Sequence, residues 1–288
     1  MHALPFLFAL LLAAAIAPML LASLAQAGHT RPNYRGRPLP VPFGVLVPAA
    51  ALLALVPLAL IGRLAPAAVF HPEIVPIALY ALGVVVLGLI DDAFGGESPR
   101  GPDGSASPTQ RPRRGWRGHG AALARGEFST GALKAAGSLG LALLAMDQLG
   151  LSNGRWLLAA AVLVLATNVF NLLDLRPGRS SKAFVALGAA LTIGSGVRPL
   201  WALGLFSGPA LIAGAYDLRE RAMLGDTGSN LLGALAGLWL VLTLSGTGQL
   251  IALVLLGAIT LYGELRSISA LIEGTPGLRE LDSWGRPS

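Results

Sequence analysis

The stretch VVVLGLIDDAFGG, residues 84–96, ends an apolar run with two adjacent carboxylates, Asp91 and Asp92. Removing an ionised carboxylate from water costs several kcal/mol, and acidic residues in or beside a membrane-spanning segment are therefore candidates for a functional site. The stretch predicts a spanning helix that ends at a polar site. The rest of the chain is interpreted from this point outward.

The composition indicates a membrane protein. Of the 288 residues, 54% are hydrophobic and 12% are charged, whereas soluble domains carry about 25% charged residues. The chain has no cysteine, which excludes disulfide bonds and thiolate chemistry. Its net charge of +6 comes from basic residues between apolar blocks. This distribution indicates membrane topology rather than binding to nucleic acid.

Apolar blocks of about 20 residues, the length that a spanning helix needs, predict an all-α polytopic integral membrane protein. The first block ends in SLAQAG, which is similar to a signal-peptide cleavage site, but no Lys or Arg precedes Arg31. It is therefore interpreted as a retained helix. About nine spans are predicted, near residues 3–27, 41–62, 70–90, 131–150, 156–174, 183–197, 199–216, 228–246 and 249–265.

The basic residues orient these spans. Only three of the 21 Lys and Arg residues, Arg63, Arg155 and Arg198, fall in one set of alternate loops. Because cytoplasmic loops carry the excess of Lys and Arg, the N-terminus is predicted outside and the C-terminus in the cytoplasm. The tail has apolar residues at helical spacing, which predicts an interfacial helix. The predicted cytoplasmic segments are the loops 28–40, 91–130, 175–182 and 217–227 and the tail 266–288.

Three polar clusters fall on this predicted cytoplasmic side. The second has a polar residue every third position, which places its members along one side of a helix. The third, in LGDTGSNLLG (224–233), begins a span, where backbone N–H groups could receive an anion. The clusters are Asp91, Asp92 and Gly95 after the third span, Asn168, Asn171 and Asp174 after the fifth, and Asp226 and Ser229 at the eighth.

Each cluster alone has a structural explanation, as an interfacial boundary, as hydrogen bonds between helices or as a helix cap. The position of all three clusters on one face of the membrane instead favours a single oxygen-rich site. Such a site suits Mg²⁺ or Mn²⁺, with phosphate oxygens and water completing the coordination of the metal. A hard cation beside many arginines at the membrane surface indicates phosphoryl chemistry on a lipid with a soluble phosphate donor.

At these residues the sequence resembles the polyprenyl-phosphate N-acetylhexosamine-1-phosphate transferases (glycosyltransferase family 4), which include the phospho-N-acetylmuramoyl-pentapeptide transferases. The similar motifs follow the family's order from about residue 29 to residue 233. They are Asp91-Asp92-x-x-Gly95, Asn168-x-x-Asn171-x-x-Asp174 and Gly225-Asp226-x-Gly228-Ser229, with the weaker NYRGRPLP (33–40) and STGALK (129–134).

The resemblance implies a single transmembrane transferase domain over residues 1–288, in the cell membrane. It would transfer a sugar 1-phosphate from a UDP-sugar to undecaprenyl or another polyprenyl phosphate at the cytoplasmic face, releasing UMP, for cell-envelope glycopolymers. The implied partners are these two substrates and membrane lipids, with Mg²⁺ (or Mn²⁺) as cofactor. The sequence does not decide between a monomer and a homodimer.

The resemblance also implies a role for each motif residue. Asp226 would be the leading metal ligand, and the Asp91 and Asp92 pair would help to bind the metal (Asp92 foremost) or activate the acceptor phosphate. The second motif would hold the donor nucleotide. The implied substrate-binding residues are Asn168, Asn171, Asp174, Lys134, Arg35 and Arg37.

The chain departs from the family in two places. Leu175 stands where the family commonly has Gly after the second-motif Asp, and the histidine-rich loop is absent, since the only histidines are His2, His29, His71 and His119. A divergent branch with its own donor is therefore expected. Two alternatives stay open, a non-catalytic lipid-phosphate-binding homologue and a membrane transporter. The Asp-Gly-x-x-Ala-Arg pattern of CDP-alcohol phosphatidyltransferases does not occur.

Overall fold

The computed structural model describes residues 1–65, 68–95 and 129–287. Most of the predicted loop 91–130 lies outside these ranges. The described chain is a bundle of helices with one short hairpin. The helices are α1 Leu4–Gln26, α2 Leu46–Leu64, α3 Ile74–Phe94, α4 Thr130–Asp147, α5 Asn153–Leu173, α6 Arg179–Ser195, α7 Arg198–Leu218, α8 Gly225–Thr243, α9 Gly246–Leu265, α10 Ile268–Gly274 and α11 Leu278–Ser283.

A long helix lies at each of the nine predicted blocks. Within the described ranges, six segments are long and apolar enough to cross a membrane: α1, Phe43–Leu64 (a 3₁₀ turn followed by α2), α3, α5, α7 and α9. The prediction of an all-α protein with membrane-spanning helices is confirmed at this level. Nine crossings and their orientation stay predictions, because α6 has only 17 residues and α8 begins with the polar sequence GDTGSN.

The predicted loop 28–40 contains a structure that the sequence did not indicate. Strands β1 (Thr30–Pro32) and β2 (Pro38–Pro40) pair in antiparallel register, with Thr30 opposite Pro40. The turn is closed by Asn33, whose Oδ1 accepts hydrogen bonds from the backbone N of Arg35 (2.9 Å) and of Arg37 (3.0 Å). Prolines in so short a ribbon remove few ladder hydrogen bonds.

Four loop boundaries also differ from the prediction, one of them because α6 begins at Arg179, inside the predicted loop 175–182. Asp91 and Asp92 lie in the last turn of α3 rather than in a loop, and the loop before α8 is shortened at both ends, since α7 continues to Leu218 and α8 begins at Gly225. The tail forms two short helices, α10 and α11, rather than one. Gly277 separates them with φ +85°, a conformation that glycine adopts without steric cost.

Helix α8 is the centre of the bundle, and it packs most extensively against α5 and α3. Glycines permit the close approach of these helices. A Cβ at Gly233 would lie 2.6 Å from the Cα of Thr167 on α5, and one at Gly88 would lie 2.6 Å from the Cα of Thr227 on α8. Small residues are typical of tightly packed helices in membranes. This packing brings the ends of α3 and α5 to the start of α8.

Candidate functional site

The carboxylate of Asp92, at the end of α3, caps the N-terminus of α8. Its Oδ1 accepts a hydrogen bond from the backbone N of Asp226 (3.0 Å), and its Oδ2 accepts from the backbone N of Thr227 (2.8 Å) and from the Thr227 hydroxyl (2.6 Å). A carboxylate satisfies the free N–H groups of a helix start and is attracted by its dipole. The anion that the GDTGS segment was predicted to receive is therefore supplied by the protein itself.

Gly225 makes this cap possible. Its φ is +71°, and a Cβ there would lie 2.8 Å from both Asp92 Oδ2 and the Pro42 side chain. On the other side of the cap, Arg31 donates to the backbone O of Asp92 and lies 3.8 Å from its Oδ1. The Asp92 side chain is only 6% exposed. Both of its oxygens are thus engaged in the cap, and its part in metal binding stays a prediction.

The neighbouring carboxylate, Asp91, faces a different group. Lys134, from the first turns of α4, places its Nζ 2.7 Å from Asp91 Oδ2 and 3.1 Å from Asp226 Oδ2. Asn171, near the end of α5, donates to Asp226 Oδ1 at 2.8 Å and to Ser229 Oγ at 3.3 Å. Residues from four helices therefore meet around Asp226, the residue predicted to lead the site.

The oxygen donors of this group fit a hard divalent cation, but the Lys134 ammonium already contacts both carboxylates. Asp91 and Asp226 offer two carboxylates toward one point, and the cation that they already share is the Lys134 ammonium. Oxygen donors of this type suit Mg²⁺, which binds through one or two carboxylates together with substrate phosphates and water. No cluster of three or more acidic or histidine side chains that could hold a metal occurs within residues 1–65, 68–95 and 129–287.

The remaining members of the second motif hydrogen-bond to groups other than Asp226, although the charge of Asp226 acts on Asp174. Asn168 donates to Thr260 Oγ1 on α9 at 3.3 Å, a hydrogen bond between helices. Asp174 follows the end of α5 and accepts from Ser180 Oγ at 2.9 Å. Burial, and then the nearby charge of Asp217, raise the pKa of Asp174 well above its usual range. Asp217 in turn accepts a 2.7 Å hydrogen bond from the backbone N of Gly178.

The predicted phosphate partners Arg35 and Arg37 lie on the hairpin. Arg35 Nε is 3.5 Å from Glu220 Oε1, and its guanidinium donates to the backbone O of Pro287 at 2.9 Å. Both arginines are exposed, and the structure does not bring either of them to the Lys134 ammonium. Their role toward phosphate stays a prediction.

Sequence reasoning missed an ion-pair cluster between the tail and the first turn of α6, termed here the tail clasp (Arg179, Lys182, Asp282 and Arg286). Asp282 accepts from Arg179 Nε (2.8 Å) and from Arg286 (2.6 Å), while Lys182 donates to its backbone O (2.7 Å). Burial acts to raise the pKa of Asp282, but hydrogen bonds from Arg179 and Arg286 hold it at about 2. No local pattern signals such a pairing, because Arg179 and Asp282 are 103 positions apart.

Taken together, the fold and these contacts define an all-α protein. Its described residues contain six helices able to span a membrane and a charged cluster where α3, α4, α5 and α8 meet. Comparison with known protein families finds no family that matches the chain. A search of curated proteins likewise finds no match.

Proposed function

We propose that this chain is a Mg²⁺-dependent transferase that moves a sugar 1-phosphate from a UDP-sugar to a polyprenyl phosphate and releases UMP. The observation that carries the proposal is the contact set around Asp226. Asp91, Lys134 and Asn171 lie far apart in the sequence, yet each is within hydrogen-bond distance of Asp226 or of its Lys134 partner. A structural boundary or a lone helix cap does not require such convergence of charge.

The side chains have separate tasks in this proposal. Lys134 offers an ammonium to phosphate oxygens, and Asn171 holds one oxygen of Asp226 in place while Lys134 holds the other. Asp91 is the member of the pair placed to help Asp226 hold the metal and so to orient the acceptor phosphate, because Asp92 is occupied by the cap. When bound, Mg²⁺ would supply charge neutralisation and orientation of the diphosphate, with Asp226 and Asp91 as its ligands.

The proposed location is the cytoplasmic face of the cell membrane, with the N-terminus outside. The support is the distribution of basic residues. The hairpin, residues 175–182 and the tail all lie at the end of the bundle that holds Asp226, and together they contain most of the described Lys and Arg. Cytoplasmic ends of spans carry such an excess. A lipid substrate could then enter from the membrane while the UDP-sugar arrives from the cytoplasm.

The test is to incubate purified protein with undecaprenyl phosphate, Mg²⁺ and a panel of UDP-sugars, and to measure UMP release. The expected result is release that depends on the lipid and on one or a few of the sugars. Asp147→Asn, at the exposed far end of α4, is a matched control for Asp226→Asn. No lipid-dependent release with any donor would contradict the proposal.

A second candidate, a non-catalytic protein that binds lipid phosphate, is favoured by one observation. The Lys134 ammonium already pairs with both Asp91 and Asp226, so each carboxylate has a cationic partner without a metal. This candidate predicts that polyprenyl phosphate binds equally well with Mg²⁺ or with a chelator, and that no UMP is formed. Binding and turnover measured on the same preparation separate the two functions.

A further inference from the structure

A second polar region lies at the other end of the same helices. A cavity of about 860 Å³ is lined by residues from the start of α3, α5 and α7 and from the end of α8. Helices α3 and α5 have 21 residues each, and at 1.5 Å per residue they are about 30 Å long. The cavity is thus separated from the Asp226 cluster by roughly the hydrocarbon thickness of a bilayer.

The cavity carries an excess of positive charge. Arg155 and Arg198 line it, and neither makes a hydrogen bond or an ion pair with any residue in the described part of the chain. One carboxylate, Glu73, lines the same cavity, together with His2 and His71. Two of the three arginines that the sequence places on this side therefore face one space.

Both arginines are placed against the dipoles of their own helices. Arg155 lies in the first turn of α5 and Arg198 is the first residue of α7, and neither first turn contains an acidic residue. Cations at a helix N-terminus are destabilising, because that end already carries partial positive charge. An anion bound between them would be attracted by both guanidiniums and by both helix starts.

A buried acceptor in the cavity wall also lacks a partner. Gln249 is only 1% exposed. Its Nε2 donates to the backbone O of Val241 (2.9 Å) and of Leu244 (3.1 Å), which fixes the amide, while its Oε1 has no hydrogen-bond donor among the described residues. Unsatisfied buried polar atoms are rare and costly. Gln249 is therefore suited to receive a hydroxyl from a ligand.

The remaining lining adds an apolar and aromatic surface. Trp201 is stacked on His2 with ring centroids 4.0 Å apart and meets His71 edge-on at 4.7 Å. Leucines from the ends of α4 and α8 complete the wall. A ligand that matches every part of this lining has an anionic group, a free hydroxyl and an apolar portion.

We propose that this cavity binds a phosphate ester that carries a free hydroxyl, such as the glycerol phosphate headgroup of an anionic phospholipid. Arg155 and Arg198 bind the phosphate oxygens, and Gln249 Oε1 accepts the hydroxyl. The same chemistry exists in a soluble form, glycerol phosphate, and the experiment below separates the two sources. The site is independent of the transferase proposed above.

The test measures binding to the purified full chain by isothermal titration calorimetry. The probes are dihexanoyl phosphatidylglycerol, dihexanoyl phosphatidylmethanol (which lacks the hydroxyl), dihexanoyl phosphatidylcholine and glycerol phosphate. Arg155→Gln combined with Arg198→Gln should weaken phosphatidylglycerol binding at least 10-fold. The matched control is Arg63→Gln, an exposed arginine at the same end of the bundle that does not line the cavity, and it should change binding less than 2-fold.

The outcomes are distinct. If phosphatidylglycerol binds and glycerol phosphate does not, and this binding needs the two arginines, the site is assigned to a lipid headgroup. If glycerol phosphate binds as tightly as phosphatidylglycerol and also needs the arginines, the site is assigned to the soluble ester. Unchanged affinity in the double variant, or equal affinity for phosphatidylcholine, overturns the proposal. Phosphatidylglycerol should bind several-fold tighter than phosphatidylmethanol, and equal affinities on the unmodified protein refute the assignment of the hydroxyl to Gln249.

Discussion

Asp92 holds Thr227 by two hydrogen bonds at once, one from the backbone N at 2.8 Å and one from the side-chain hydroxyl at 2.6 Å, both to Oδ2. This contact joins the end of α3 to the start of α8 across 135 positions of sequence. It leaves Asp91 as the member of the pair that faces Lys134. Two adjacent and chemically identical side chains therefore have different environments and different expected roles.

The first prediction is that Asp92→Asn reduces stability. The amide would present an NH₂ group toward N–H donors that now point at a carboxylate oxygen, so part of the cap is lost. Loss of a helix cap costs about 0.5–2 kcal/mol, and a fall in the thermal unfolding midpoint in detergent should report it. Asp147→Asn is the control and should unfold like the parent protein. Equal midpoints for Asp92→Asn and the parent would show that the cap contributes nothing measurable.

The second prediction concerns Asp226→Asn. The substitution keeps the shape and the hydrogen bond from Asn171, but it removes the charge that faces Lys134 and any bound cation. Electrostatic contributions of this kind are worth about 10²–10³ in rate, so UMP release should fall by at least that factor while the protein still folds. Near-normal turnover would assign Asp226 a purely structural part.

The third prediction is that a divalent metal is required. A chelator should abolish UMP release, and Mg²⁺ or Mn²⁺ should restore it, because the carboxylates of Asp91 and Asp226 are oxygen donors. Zn²⁺, which favours nitrogen and sulfur ligands, serves as the comparison and should restore much less. Full activity after exhaustive metal removal would rule out this requirement.

The fourth prediction is that Lys134→Met increases the thermal stabilisation by Mg²⁺ and lowers turnover. The variant leaves Asp91 and Asp226 without their shared ammonium, so their mutual repulsion should increase the stabilisation that added Mg²⁺ gives in thermal unfolding. Turnover should nevertheless fall, since a phosphate partner is lost. The control is Lys182→Met, in the tail clasp, which should leave the Mg²⁺ effect unchanged. An identical Mg²⁺ effect in both variants would contradict the bridging role of Lys134.

The fifth prediction concerns the tail clasp and pH. The pKa of Asp282 is about 2, below its usual value near 3.9. The ion pairs of Asp282 therefore stabilise the attachment of the tail fully above about pH 4, and this stabilisation is lost as pH falls through about 2. A spin label on Ser283→Cys, in this cysteine-free chain, should gain mobility over that range. Adding Asp282→Asn should mobilise it already at neutral pH, whereas the exposed neighbour Glu280→Gln should not.

The sequence by itself determined where the long helices lie. Apolar blocks and their polar ends are local properties, and backbone hydrogen bonding in a membrane leaves a helix as the one structure for such a block. It also placed Asp91, Asn171 and Asp226 at helix ends that meet. The residue types gave this prediction, because carboxylates and carboxamides beside apolar runs are costly unless they have a partner.

Only the tertiary structure decided which partner each of the polar residues has. Asp92 caps α8, Asn168 bonds to α9, Arg35 pairs with Glu220, and Asp282 closes the tail on Arg179. Each of these contacts joins positions 92 to 185 residues apart and depends on which side of a helix faces its neighbour. Spacing along the chain carries no information about such pairs, because they form only when distant segments pack together. At the Asp92 cap this packing depends on Gly88 and Gly225.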